Sequence, residues 1–144
     1  MIEGWKRVLV LEDDFTFKRD AQIEWALKEL VEHEPETTDM CLLSYNHSFF
    51  RTESVDGKPW LGRVLYSQTT SSYLISQHYV PVLLKNLRES TTDMVLHGRR
   101  HENCIDIHWT TLQPHGRWFA ILPAIGYQYA NHSDIEGGVT AYGC

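Results

Sequence analysis

Glu12, Asp13 and Asp14 are three carboxylates in a row, and they follow directly on Val8-Leu9-Val10-Leu11. Adjacent carboxylates repel one another unless a positive group stands between them. Hard divalent ions such as Mg²⁺ or Mn²⁺ take oxygen ligands of this kind and share them with substrate phosphates. The same triplet also suits a plainer role, an acidic strand–loop junction that caps the following helix. Its position is what points to chemistry. Four consecutive aliphatics read as a strand buried on both faces, and in open α/β sheets ligands collect outside the carboxyl ends of the strands. Two further segments carry recognition chemistry. Ser67-Gln68-Thr69-Thr70-Ser71 is rich in hydroxyls that suit a sugar or phosphate and equally suit a polar hairpin turn. His97-Gly98-Arg99-Arg100-His101 is a basic cluster fit for a diphosphate or for a solvated loop.

The elements that must position these groups follow from periodicity. Residues 17–34 read as an amphipathic helix, with Ile23, Ala26, Leu27, Leu30 and Val31 on one face and Pro35 at its end. Met40-Cys41-Leu42-Leu43-Ser44 reads as a second buried strand, with Cys41 a core thiol. Strand, helix and strand in that order predict a right-handed βαβ unit and a parallel sheet. Tyr45, Asn46 and His47 then emerge at the same sheet end as the acidic triplet. Residues 48–60 hold Asp56-Gly57 and Pro59 without periodicity and read as a surface loop. Leu61 to Tyr66 and Ser72 to Ser76 read as short strands, residues 77–89 as a helix with Pro81 in its first turn, Ile105 to Leu112 as a short helix, and Trp118 to Leu122 as a last strand. The tail from Gln128 onward reads as loop.

Composition narrows the class. A chain of 144 residues suits one domain, and 42% hydrophobic with 22% charged residues is an ordinary globular balance rather than a disordered one. The net charge of −6 argues against a general nucleic-acid surface. No apolar run approaches the ~18 residues of a membrane span and the N-terminus has no signal-peptide core, so the expectation is a soluble chain. Cys41, Cys104 and Cys144 have no zinc spacing and leave the redox compartment open. Two glycosylation sequons, at 46–48 and 131–133, are too short a pattern to fix a location.

Several separated segments agree with one family. Val-Leu-Val-Leu-Glu-Asp-Asp (8–14), Ser-Ser-Tyr-Leu-Ile-Ser (71–76), Ile-Asp-Ile-His-Trp (105–109), Pro-Ala-Ile-Gly-Tyr-Gln (123–128) and Ser-Asp-Ile-Glu (133–136) resemble, in order and spacing, family 25 glycosyltransferases. That group includes lipopolysaccharide-type transferases and collagen galactosyltransferase domains. The resemblance implies an α/β fold of the GT-A kind, a mostly parallel sheet flanked by helices. It also implies transfer of a hexose from a UDP-sugar donor to a hydroxyl of a glycan or protein acceptor, with Mn²⁺ as cofactor. Glu12, Asp13 and Asp14 stand where the family's acidic metal motif belongs, and His132 or Asp134 would supply a further metal ligand. Asp106 becomes the candidate catalytic residue facing the acceptor hydroxyl, and Trp109 a platform for a sugar ring. Asn46, Ser72, Gln128 and Ser133 complete the candidate substrate contacts. Met1 lies only seven residues before Val8, whereas family members carry a longer segment there. The expectation is therefore a domain truncated at its nucleotide-binding end, whose exposed sheet edge is covered by a second copy or a partner chain.

Two other classes compete. The opening also resembles a response-regulator receiver, but Tyr45-Asn46 follows the second strand where a phospho-accepting Asp is needed. The other is a catalytically inactive carbohydrate-binding or interaction module on the transferase fold.

Overall fold

The computed structural model describes residues 4–19, 22–33, 38–98, 100–133 and 138–140, with the backbone alone at 33, 131–133 and 140. Ten strands and three helices are described: β1 (Arg7–Leu11), β2 (Phe15–Phe17), α1 (Gln22–His33), β3 (Met40–Leu42), β4 (Phe50–Val55), β5 (Lys58–Ser67), β6 (Ser72–Ser76), α2 (Val80–His97), α3 (Ile105–His108), β7 (Trp118–Ile121), β8 (Gly126–Gln128), β9 (Asn131–Ser133) and β10 (Gly138–Thr140). Six strands form one sheet in the order β1-β6-β3-β7-β5-β4, while β2 pairs with β8 and β9 with β10.

The α/β class is as expected, but the sheet is mixed and mostly antiparallel. Among the described strands only β3 and β7 run parallel; β6 is antiparallel to both β1 and β3. β1 and β3 therefore point the same way, as a strand–helix–strand unit requires, with β6 inserted between them. The prediction of adjacent parallel strands rested on the continuous apolar runs. Those runs have another cause, because the sheet is covered on both faces. Met40, Leu42, Ile75, Trp118 and Ala120 pack with Leu83 of α2 and Trp109 on one side. Cys41, Leu43, Leu61 and Ile121 pack with Ala26 and Leu30 of α1 on the other. A strand buried on both faces loses its alternation whatever direction its neighbours take.

The stretch read as a loop, 48–60, holds a 3₁₀ turn (His47–Phe49) and most of a hairpin. Val55 faces Lys58 across Asp56-Gly57, with Gly57 at φ +70° in the left-handed region that a two-residue hairpin turn demands. β4 is an outer strand with half its residues exposed, so Arg51, Thr52, Glu53 and Ser54 hide its strand character. The predicted helix 17–34 begins later, because Phe15–Phe17 pair with β8 first. Helix α2 in turn runs eight residues past its predicted end. Its polar Ser90 is fully buried, donating from its hydroxyl to the Asn103 carbonyl at 2.7 Å.

Asp39 clamps the amino end of β3. Its Oδ2 accepts the Arg117 backbone N–H at 2.7 Å, and its Oδ1 meets His78 Nε2 at 2.7 Å and the Arg117 guanidinium at 3.3 Å. Burial alone would raise its carboxyl, but the Arg117 amide, His78 and the Arg117 guanidinium outweigh that and hold it below its ordinary 3.8. A lowered carboxyl contributes stability that is present above the unfolded value and lost as pH falls through the lower folded one. Asp39→Ala should therefore cost about 1–3 kcal/mol at pH 7, since it leaves a part-buried amide without its acceptor. In urea unfolding, the gap to the parent should close as the pH drops below 3.8.

Candidate functional site

β1 ends at Leu11, and the chain turns at once. Glu12 N donates to Ser71 O at 2.9 Å, and Phe15 N closes back on Glu12 O at 3.2 Å, so Asp13 and Asp14 occupy a tight turn. β2 then pairs antiparallel with β8, which lays Gln128 opposite Phe15. Gly126 permits that pairing: a Cβ there would fall 2.1 Å from the Phe15 ring.

The side chains around Glu12 form one network. Thr70 Oγ1 donates to Glu12 Oε1 at 2.6 Å, and Gln128 Nε2 donates to Glu12 Oε2 at 2.7 Å and to Asp14 Oδ1 at 3.1 Å. One amide thus bridges two carboxylates of the triplet. Thr69, beside Thr70, is held at φ +89°, an outlier for a β-branched residue. Burial pushes the Glu12 carboxyl above its ordinary 4.5; the Thr70 hydroxyl opposes this, and the charges of Asp14, Asp106 and Asp13 add to it. Tyr73 is raised in turn, by burial first and then by Glu12.

Asp106 therefore lies within electrostatic reach of the triplet, although more than ninety residues separate them in the chain. Its position follows from how α3 is anchored. Asn86 Nδ2 of α2 reaches His108 O at 3.4 Å and Thr111 Oγ1 at 3.3 Å. Trp109 opens the 3₁₀ turn Trp109–Leu112 that follows α3 and locks it to the sheet. Its indole N–H donates to Ser67 O at 3.1 Å, and its ring meets Trp118 and Tyr73 edge-on.

The structure thus joins Glu12, Asp13, Asp14, Asp106 and Gln128, while Trp109, Ser72 and Asn46 stand elsewhere. Trp109 is only 1% exposed, so it is a core anchor and presents no face to a sugar ring. Ser72 is equally enclosed, its hydroxyl 2.8 Å from that of Ser44, which also bonds Ser71. Asn46 caps the 3₁₀ turn at His47–Phe49, accepting from Ser48 N at 3.0 Å, at the carboxyl end of β3. His132 and Ser133 fall in β9, where the backbone alone is described, and Asp134 lies outside the described residues. The basic stretch 97–101 starts at the last residue of α2, and Arg99 is outside the described residues. The residues not singled out in advance are Thr70, within a turn noted only for its hydroxyls, and Tyr73.

The donor chemistry of the triplet suits a hard divalent ion: all oxygen, with excess negative charge. Among the described residues, however, no three carboxylate, imidazole or thiolate groups converge on a single point. Both Glu12 oxygens already accept hydrogen bonds, which leaves exposed Asp13 and partly exposed Asp14 as the groups that would face an ion. An open groove of about 610 Å³ lies on the outer side of α2, lined by Leu84, Lys85, Arg88, Asp93 and His108, apart from these carboxylates. No protein-family model matches the chain, and no curated protein matches it significantly.

The Glu12 network predicts its own titration. Thr70→Val removes the hydroxyl that lowers the Glu12 carboxyl and should raise its midpoint; Asp106→Asn removes a charge that raises it and should lower it. Carboxyl NMR titration reads both. Glu12 charged is a strained state in the fold, so the protein gains stability as pH falls from above the raised folded value toward 4.5. Glu12→Gln should therefore melt higher than the parent at neutral pH, with the difference vanishing in acid.

Trp109→Ala separates the anchor from the platform. Loss of a fully buried indole should cost about 3–5 kcal/mol in urea unfolding. A sugar platform would instead show weakened ligand binding at unchanged stability.

Proposed function

We propose that this chain is a glycosyltransferase of the GT-A kind, related to family 25, that moves a hexose from a UDP-sugar to a hydroxyl of a glycan or hydroxylysine-type acceptor. The observation that carries the reading is the Glu12 carboxyl, raised first by its burial and then by the charges of Asp14, Asp106 and Asp13, and held in place by Thr70 and Gln128. Perturbed, hydrogen-bonded carboxylates cluster at functional sites. Strain at Thr69 beside the network points the same way.

A divalent cation such as Mn²⁺, when bound, neutralises a nucleotide diphosphate and stabilises the charge on its departing oxygen. Asp14 and Asp13 are the residues that would hold it, with Glu12 behind them as a fixed negative charge. Gln128 keeps the Glu12 and Asp14 oxygens a set distance apart by donating to both. Asp106, brought to the cluster by α3, takes the proton from the acceptor hydroxyl as that oxygen attacks in an inverting transfer, or anchors the hydroxyl in a retaining one. A second reading is a catalytically inactive carbohydrate-binding or interaction module of the same fold, favoured by the lack, among the described residues, of three metal-ligating groups that converge.

Turnover of a UDP-sugar panel with Mn²⁺ separates the two readings: transfer or hydrolysis is expected for the enzyme and none for the module. Asp14→Ala should abolish Mn²⁺ binding by calorimetry while leaving the melting transition in place; unchanged affinity would remove the triplet from the metal site. Asp106→Asn keeps size and shape but deletes the base, so turnover should fall by about 10²–10⁴-fold with donor affinity unchanged. An equal loss of donor binding would move Asp106 to the donor side.

A further inference from the structure

Among the described residues β1 is the last strand on its side of the sheet. Lys6 O accepts from Gln77 N, and Glu12 N donates to Ser71 O, both at 2.9 Å; between them Val8 faces Ile75 and Val10 faces Tyr73. In an antiparallel ladder the residues that exchange bonds alternate. The even-numbered residues of β1 therefore bond to β6, and the amides and carbonyls of Leu9 and Leu11 point away from it. Period two puts the side chains of Arg7, Leu9 and Leu11 on one face, and the two leucines are 43% and 42% exposed. The strand has no proline, and of its three outward-bonding positions Leu9 and Leu11 are aliphatic while Arg7 carries the one charge. Its ends carry opposite charge: Lys6 precedes it, and Glu12 and Asp13 follow it.

We propose that two copies of this chain pair through β1, antiparallel about a two-fold axis at Leu9. Two independent constraints select that register. The outward bonding groups belong to odd-numbered residues, so odd must face odd; Leu9 against Leu9 of the second copy satisfies this, with Leu11 against the second copy's Arg7. The same register sets Lys6 opposite the second copy's Glu12, twice by symmetry. Parallel pairing would instead lay Lys6 beside Lys6 and one acidic triplet beside the other. Antiparallel pairing brings a cation to each triplet, sets Leu9 against Leu9 of the second copy, and joins two six-stranded sheets into one. The interface is isologous and closes on itself, so it makes a dimer and not a fibre.

Sedimentation equilibrium of the 144-residue chain over a concentration series tests this. The expected result is reversible association to twice the chain mass, weakening as salt is raised. Leu9→Lys places like charges directly opposite one another and should raise the dissociation constant by about tenfold or more, with an unchanged far-ultraviolet circular dichroism spectrum. Lys6→Glu, which leaves the apolar edge intact and is the readout should Leu9→Lys fail to fold, should also weaken association. A parent chain that stays monomeric at every concentration overturns the proposal. So does a dimer whose dissociation constant neither substitution moves.

Discussion

The site depends on a strand that reaches it from the middle of the chain. β6 lies between β1 and β3 and bonds to both: Glu12 N donates to Ser71 O at its start, and Leu43 N donates to Ser72 O on its other side. Because β6 runs against both neighbours, its beginning meets the ends of β1 and β3. That geometry puts the 67–71 turn, with Thr70 and the left-handed Thr69, over the carboxyl end of β1. A parallel strand in the same place would bring its own end there and carry the hydroxyls to the far side of the sheet. The direction of one central strand thus decides which chemical groups surround Glu12.

With that placement comes an electrostatic cost. Glu12 is half-buried, Asp13 and Asp14 follow it in the chain, and Asp106 arrives from α3. A fold chosen for stability alone would place a neutral residue there. What limits the cost is hydrogen bonding: Thr70 and Gln128 donate to the two Glu12 oxygens, and Gln128 donates to Asp14 as well. These donors come from the turn before β6 and from β8, so the network also ties the small β2–β8 pair to the main sheet. Functional sites commonly hold such unfavourable charge arrangements at the expense of stability.

How much of this was legible beforehand follows from what each signal encodes. The strand before the triplet, the strands at Met40, Leu61, Ser72 and Trp118, and the helix at Ile105 all appear in the patterning, because burial is written in side-chain type. Cys41 is the buried thiol it was taken for. Strand direction is not written there, since a two-sided apolar run reports coverage on both faces and nothing about its neighbours. β4 escaped because an outer strand with polar side chains carries no alternation; only Asp56-Gly57 announced its turn. Asp106 was a candidate only through the resemblance of Ile105-Asp106-Ile107-His108-Trp109 to the glycosyltransferase family. Its nearness to Glu12 was not legible, because that depends on how α2 and α3 dock.

The mistaken role of Trp109 explains that docking. The family resemblance implied a surface for a sugar ring at Trp109, but the indole is enclosed. Its N–H bonds to Ser67 O, an oxygen that also accepts from Gln113 Nε2 at 2.7 Å, while Gln113 Oε1 takes the Ser67 amide at 2.8 Å. Ser67 is the last residue of β5 and begins the turn that ends in Thr70 and Ser71. One buried cluster therefore fixes both the segment that carries Asp106 and the turn that carries Thr70, and each approaches Glu12 from its own side. A polar cluster with every described bond satisfied specifies geometry more sharply than apolar packing, because a small displacement strands a donor or acceptor. Trp109 thus bears on the chemistry through position: it sets where the Asp106 carboxylate stands relative to Glu12 without touching a substrate itself.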